Sequence, residues 1–164
     1  MKRWIDLHSN SATIKLPGTL SLWHSLAGSV RAGRSSWRIN LMKRILVVDD
    51  SPTIRRMIIA SLRSLEGVEV DEASSGLEAV ERLALAPVNM LFLDLNMPDI
   101  HGLEVIEFVR SHKAYSEIPI CVVTTRGDES SRSTALQAGA NIYLTKPFTP
   151  ERLAEEAKKL LANS

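Results

Sequence analysis

ILVVDDSPTI, residues 45–54, opens with four apolar β-formers, stops at two acids and turns at once into a helix start. An unbroken apolar run ending in acids reads as a strand buried on both faces. Ser51-Pro52 opens the helix, since proline suits the first helical turn, and Ile54, Met57, Ile58 and Leu62 recur at helical spacing on a core face. Working outward, the same unit returns. A short strand at 68–70 follows Gly67, and Ser75-Gly76 leads into a helix with Leu77, Val80 and Leu83 on one face. Residues 88–93 form a third strand ending in Asp94, 102–112 a helix, 118–123 a fourth strand, and 128–138 a helix closed by Gly139. A fifth strand at 141–144 precedes the last helix, 149–161, with Thr149 as N-cap and Pro150 at its first position.

Strands alternating with helices through short loops imply a parallel sheet covered on both faces by right-handed crossovers. The expected class is α/β, a doubly wound (βα)5 sheet. Its strand order 2-1-3-4-5 is taken from flavodoxin-like folds, not from periodicity. The chain has 164 residues, 45% apolar and 24% charged, as in an ordinary globular protein, and no run approaches the roughly 18–20 apolar residues of a membrane span. A single cysteine, Cys121, excludes an internal disulfide and a thiol-based zinc site, and fits a reducing cytoplasm. Lying in an apolar strand, it reads as an inert buried thiol.

The net charge of +1 conceals a split near Met42. Residues 1–41 hold six basic side chains against one acid, Asp6, together with all three tryptophans (Trp4, Trp23, Trp37); the remainder holds 14 basic and 18 acidic residues. No helical or alternating period runs through the first segment. It could be a basic arm for nucleic acid or anionic lipid, or a transit-like leader. The expectation adopted is a basic N-terminal extension over 1–41, disordered or translated in error upstream of Met42, and a domain over 42–164.

Sites in open parallel sheets form beyond the carboxyl ends of the strands, where strand order reverses. Asp49-Asp50 end the first strand and Asp94 the third, so three carboxylates converge at that switch point. Two like charges about 4 Å apart repel by roughly 4 kcal/mol at an effective dielectric near 20. Either acids protonate or a cation neutralises them. Oxygen ligands without nearby His or Cys favour a hard ion, and Mg²⁺ is the natural candidate. Thr124-Thr125 end the fourth strand with hydroxyls, and Lys146 ends the fifth with an ammonium suited to phosphate. A carboxylate nucleophile, a cation, a hydroxyl and an ammonium make an acceptor for aspartyl-phosphate formation. Singly, each residue has a plainer reading: Asp50 as a helix cap, 94–98 as a turn, the threonines as strand formers, Lys146 as a solvated end. Four such coincidences at one sheet edge are a poor explanation.

The segments ILVVDDSPT, LFLDLNMPDIHG, VVTTRG and YLTKPF closely resemble the CheY-like receiver domains of response regulators, over about residues 43–162. Intervals of 44, 30 and 22 positions from Asp50 to Asp94, Thr124 and Lys146 agree as well. The resemblance implies a stand-alone two-component regulator, not an enzyme in the usual sense, with Asp94 as phosphoacceptor. It implies Asp49, Asp50 and Asp94 as Mg²⁺ acids, Asp50 binding directly and Asp49 largely through water, with the Asn96 backbone carbonyl as a further ligand. Thr124 would be the switch hydroxyl, Tyr143 the aromatic that changes rotamer with it, and Lys146 the phosphoryl-binding cation before a cis Lys146-Pro147 bond. The implied partners are a sensor histidine kinase or phosphotransfer protein and a downstream protein bound at the fourth-helix, fifth-strand, fifth-helix face. With no DNA-binding output domain after the last helix, output would pass by protein contact or onward phosphotransfer, in chemotaxis or motility control, whose members the DDSPTIRRM opening resembles. Thr125 departs from the small residue usual in the family and could narrow access, whereas Asn96 and Arg126 flank the site where dephosphorylation is tuned. His101 and His112 read as surface residues.

Two other chemistries compete. A Mg²⁺-dependent phosphohydrolase of the haloacid-dehalogenase type also uses a strand-end Asp, but places a D-x-D on its first strand. A flavodoxin-like flavin binder needs a hydroxyl- and glycine-rich loop where this chain presents two acids.

Overall fold

The computed structural model describes residues 42–162; the expectations for residues 1–41 lie outside them. Five strands, β1 (Lys43–Val48), β2 (Val68–Ala73), β3 (Met90–Leu93), β4 (Ile120–Thr124) and β5 (Ile142–Thr145), alternate with five helices. These are α1 (Pro52–Leu62), α2 (Gly76–Leu85), α3 (Gly102–Ser111), α4 (Glu129–Ala138) and α5 (Pro150–Ala162). Every strand pair is parallel and the order is β2-β1-β3-β4-β5, as expected. Register brings Val48 beside Leu93 and Thr124 beside Thr145, so the chemically distinctive residues share one edge of the sheet.

Side chains alternate across a strand, and here both sets are apolar. Leu46, Val48, Leu91, Leu93 and Val122 pack with Ala79, Leu83, Val105, Ile106, Val109 and Ala135 from α2, α3 and α4. Ile45, Val47, Phe92, Cys121 and Val123 pack on the opposite face with Ile58, Leu62, Leu153 and Ala157 from α1 and α5. Two apolar layers thus hold β1, β3 and β4 rigidly, and the loops at their carboxyl ends inherit that rigidity.

The helices start where their caps dictate. Ser51 accepts from the Ile54 amide, Ser75 from Glu78, Asp128 from Ser131, and Thr149 from Arg152. The α1 cap is therefore Ser51, not Asp50. α4 ends on Gly139 at φ 114°, a left-handed turn that suits glycine.

Some boundaries and faces differ from the sequence reading. β2 runs to Ala73 instead of stopping at 70; its acids Glu69 and Asp71 pair with Arg44, and Glu72 with Arg55. β4 begins at Ile120, not 118: the Ile118 carbonyl is taken by Arg110, and Pro119 has no N–H to offer. Met57 and Leu77 are not core residues, being 46% and 55% exposed. The buried stripes run through Ile58 and Leu62 in α1, and through Gly76, Ala79 and Leu83 in α2. One position away on a helix is about 100° of rotation, enough to leave the core.

Candidate functional site

Three loops and one strand end meet at the carboxyl edge of β1, β3 and β5. The hydrogen-bonded tips of β1 and β3 bring Asp94 beside Asp49, with the Asp94 amide donating to the Val48 carbonyl at 2.9 Å. Asp49, Asp50 and Asp94 each present a carboxylate oxygen within 4.8 Å of the others. Asp49 and Asp94 are buried, whereas Asp50 is exposed and makes no hydrogen bond or ion pair among the described residues. One oxygen of Asp49 accepts the Ser51 amide at 2.9 Å, which fixes the carboxylate at the start of α1. Asp94 Oδ1 accepts the Leu95 amide at 2.8 Å.

Lys146 enters from the end of β5, and the Lys146-Pro147 bond is cis, as the resemblance implied. Its Nζ lies 2.6 Å from Asp49 Oδ2 and 3.3 Å from Asp94 Oδ2. Burial pushes the Asp49 carboxyl above its usual value, while the hydrogen bond and charge of Lys146 and the Ser51 amide pull it back. One ammonium, in contact with Asp49 and Asp94, serves a cluster of three carboxylates. The donors are all oxygens, and Asp50 is open to solvent, so the set fits a hard divalent cation that keeps part of its water shell.

Thr124 is fully buried at the end of β4. Its Oγ1 accepts from Asn96 Nδ2 at 3.3 Å and from the Arg126 amide at 3.4 Å. Asn96 Nδ2 also donates to Thr125 Oγ1 at 3.1 Å, while Arg126 Nε donates to Asn96 Oδ1 at 2.8 Å. The exposed Thr125 hydroxyl and Arg126 side chain thus join the β3–α3 loop to the β4–α4 loop through one amide. Tyr143 is buried, and its hydroxyl donates to the Arg126 carbonyl at 2.8 Å. Burial, then the charge of Asp128, pushes the Tyr143 phenol up, so it stays a neutral donor. His101 and His112 are exposed, as expected.

Sequence reasoning singled out Asp49, Asp50, Asp94, Asn96, Thr124, Tyr143 and Lys146, and all seven lie in this assembly or touch it. It gave Asn96 a backbone role at the metal and a flanking place beside Arg126, and missed that its side chain bonds both threonines and Arg126. Gly102 went unweighed: it ends the loop that begins at Asp94, and a Cβ there would collide with the Asp94 carbonyl oxygen and come 2.8 Å from Leu95 Cα. Asp99 also went unweighed. Its two oxygens accept the Gly76 and Leu77 amides at 3.3 and 3.1 Å. Slight burial raises its carboxyl, but the amides of Leu77, Ile100 and Gly76 outweigh that and hold it below the usual value. An adjacent Asp-Gly pair would have been the signal, but here Ile100 and His101 separate the loop acid from the glycine.

Residues 45–158 match the response regulator receiver domain family. The chemotaxis protein CheY1 of Helicobacter pylori is 44% identical over 122 residues, covering 74% of this chain and 98% of that protein. The chemotaxis protein CheY homolog of Campylobacter jejuni is 44% identical over 119 residues, covering 72% of this chain and 92% of that protein. Among solved structures, the chemotaxis response regulator CheY4 of Vibrio cholerae superposes with a TM-score of 0.67 at 34% identity, over 73% of this chain and 98% of that one. No helix of the described residues is long and apolar enough to cross a membrane.

Proposed function

Since the chain belongs to the response regulator receiver family, we propose that it accepts a phosphoryl group on Asp94 from a sensor histidine kinase or phosphotransfer protein, and switches its affinity for a downstream protein. CheY-like receiver domains are signalling switches, not classical enzymes. The observation that carries the reading is the Lys146 ammonium seated between Asp49 and Asp94 beside a three-acid cluster. A carboxylate is a competent phosphoryl acceptor only if its surroundings tolerate the anion that approaches it.

Asp49 and Asp50 would hold a Mg²⁺ ion, joined by the Asn96 backbone carbonyl. That ion supplies charge neutralisation for the incoming phosphoryl oxygens. The Asp94 carboxylate forms the new O–P bond as the donor's P–N bond breaks, and the histidine leaves as the imidazole. Lys146 keeps one neighbour, Asp49, and offers its remaining hydrogens to the transferred group. Thr124 donates its hydroxyl to a phosphoryl oxygen, Tyr143 follows the β4–α4 loop, and the face of α4, β5 and α5 changes its affinity for the target. Slow self-catalysed loss of the group resets the switch. The named relatives act in chemotaxis, so chemotaxis or motility is the pathway proposed for this chain.

Incubation with acetyl phosphate and Mg²⁺, followed by intact-mass measurement, tests the assignment. One phosphoryl group should add to the parent and none to Asp94→Asn. Equal labelling of both removes Asp94 from its role. Catalytic phosphate release from excess phosphomonoester would favour the hydrolase instead.

A further inference from the structure

The loop from Asp94 to Gly102 carries both the proposed acceptor and the Asn96 carbonyl, and it is held at three places. Its ends touch: the Gly102 amide donates to the Leu95 carbonyl at 3.3 Å, and glycine is the residue that admits this approach. Leu95 and Met97 are buried and anchor its first half. Its far side is fastened to a different element. Asp99 straddles the first turn of α2, one carboxylate oxygen on the Gly76 amide and the other on the Leu77 amide. Those amides lack partners inside the helix, and an anion at a helix N-terminus is favoured by the dipole as well. Contact there is close, for a Cβ on Gly76 would stand 2.8 Å from both Cβ and the carbonyl oxygen of Ile100.

α2 does not need Asp99 for its own cap. Ser75 Oγ accepts the Glu78 amide at 3.1 Å, and Glu78 reaches back to the Ser74 amide and hydroxyl at 2.8 and 2.9 Å. The carboxylate of Asp99 therefore does more for the loop than for the helix. Without it, the stretch between Met97 and Gly102 has no polar side-chain tie to another element among the described residues. Asn96 lies at the start of that stretch, with its side chain already committed to the two threonines.

We propose that Asp99 is a positioning residue for the divalent-cation site: by clasping the N-terminus of α2, it fixes the loop that presents Asp94 and the Asn96 carbonyl together. The inference rests on the receiver reading above. Outer partners that orient metal ligands typically change affinity by about 10–100-fold, and one loop tie of three belongs at the low end.

Mg²⁺ titration by calorimetry on the full chain tests this, comparing the parent with Asp99→Ala and Asp99→Asn. The expected result is roughly tenfold weaker Mg²⁺ binding in Asp99→Ala. The half-saturating Mg²⁺ for acetyl phosphate labelling should rise in step, while the rate at saturating Mg²⁺ stays near that of the parent. Loss of a nearby negative charge would weaken binding too, so the titration is repeated in 1 M salt, where the screening length is about 3 Å. A deficit that persists there is positional, and one that vanishes overturns the proposal. Ser75→Ala is the control: it weakens α2 without touching the loop, and should lower the unfolding midpoint but leave Mg²⁺ affinity unchanged. Equal weakening by Ser75→Ala would reduce Asp99 to a helix-stability residue. A parent that neither binds Mg²⁺ nor labels sinks the receiver assignment itself, whereas a parent that does both, alongside an unaffected Asp99→Ala, sinks only this inference.

Discussion

Replacing Lys146 with methionine asks whether the strand-tip acids depend on a fixed cation. The ammonium lies 2.6 Å from Asp49 and 3.3 Å from Asp94, and all three side chains are at least nine-tenths buried. At an effective dielectric of about 20, those separations correspond to roughly 6 and 5 kcal/mol of attraction. Desolvation offsets part of this, and removing one partner of a buried pair costs about 3–5 kcal/mol. Protonation sets a ceiling. Asp49 can shed its charge; from an ordinary value of 3.8, that costs about 4 kcal/mol at pH 7, at 1.36 kcal/mol per pH unit. Lys146→Met should therefore lose about 3 kcal/mol at pH 7 without divalent ions. Burial already raises the Asp49 carboxyl, and losing the ammonium raises it further. A carboxyl raised in the folded state leaves stability intact below its unfolded value and withdraws it as pH climbs through the folded one. The deficit must shrink toward acid, to no more than about 1.6 kcal/mol at pH 5. Urea unfolding in EDTA at pH 5 and pH 7, followed by circular dichroism, measures both. Mg²⁺ should close the gap: a ligand at 100 times its Kd contributes about 2.7 kcal/mol, and a site freed of its competing ammonium should bind the ion more tightly. A deficit under about 1 kcal/mol at pH 7, or one equal at the two pH values, would refute the electrostatic account.

Gly102→Ala should cost roughly 1–3 kcal/mol by overpacking and slow acetyl phosphate labelling, because the new methyl displaces the backbone of Asp94 and Leu95. Gly127→Ala, whose Cβ meets only Thr145 Cγ2 at 3.8 Å, is the comparison, and equal effects of the two would contradict the crowding argument. Cys121, the sole cysteine, is fully buried, and burial pushes its thiol far above the usual range. An aromatic disulfide reagent should react with the native chain no faster than the chain unfolds, and stoichiometric reaction within the mixing time would show the core to be open.

The alternation of strands and helices was legible because β1, β3 and β4 are buried on both faces and therefore read as unbroken apolar runs. β2 was read too short because it is an edge strand whose second half is acidic. Its acids are stabilised by Arg44 and Arg55, which come from other elements and leave no local trace. Met57 and Leu77 show the angular limit of helical spacing: hydrophobicity narrows a face to about a third of the helix, and a residue at its margin falls either way. At the site, residues ending strands could be assigned because the fold sends every strand end to one edge. The clasp of Asn96 with Arg126 and that of Asp99 with α2 could not, since both join loops across more than twenty positions and depend on side-chain direction alone.

The hydrogen bonds around Thr124 suggest why a change at Asp94 would travel. Thr124 Oγ1 accepts from Asn96 and from the Arg126 amide, and the Arg126 carbonyl in turn takes the Tyr143 hydroxyl. For Thr124 to turn its hydroxyl toward a phosphoryl oxygen, it would loosen the bonds at 3.3 and 3.4 Å, both already long. Each neutral bond is worth about 1 kcal/mol net, and a bond to a charged oxygen about 1.5–3 kcal/mol. The turn therefore costs about 2 kcal/mol without phosphate and comes close to balance with it, and a minor state a few kcal/mol up that a ligand can draw down is the energetic form a two-state element takes. Moving the Arg126 amide moves the carbonyl that holds Tyr143, so the aromatic ring follows the loop. On this accounting, under the function proposed above, Tyr143 would report the switch and Thr124 would drive it.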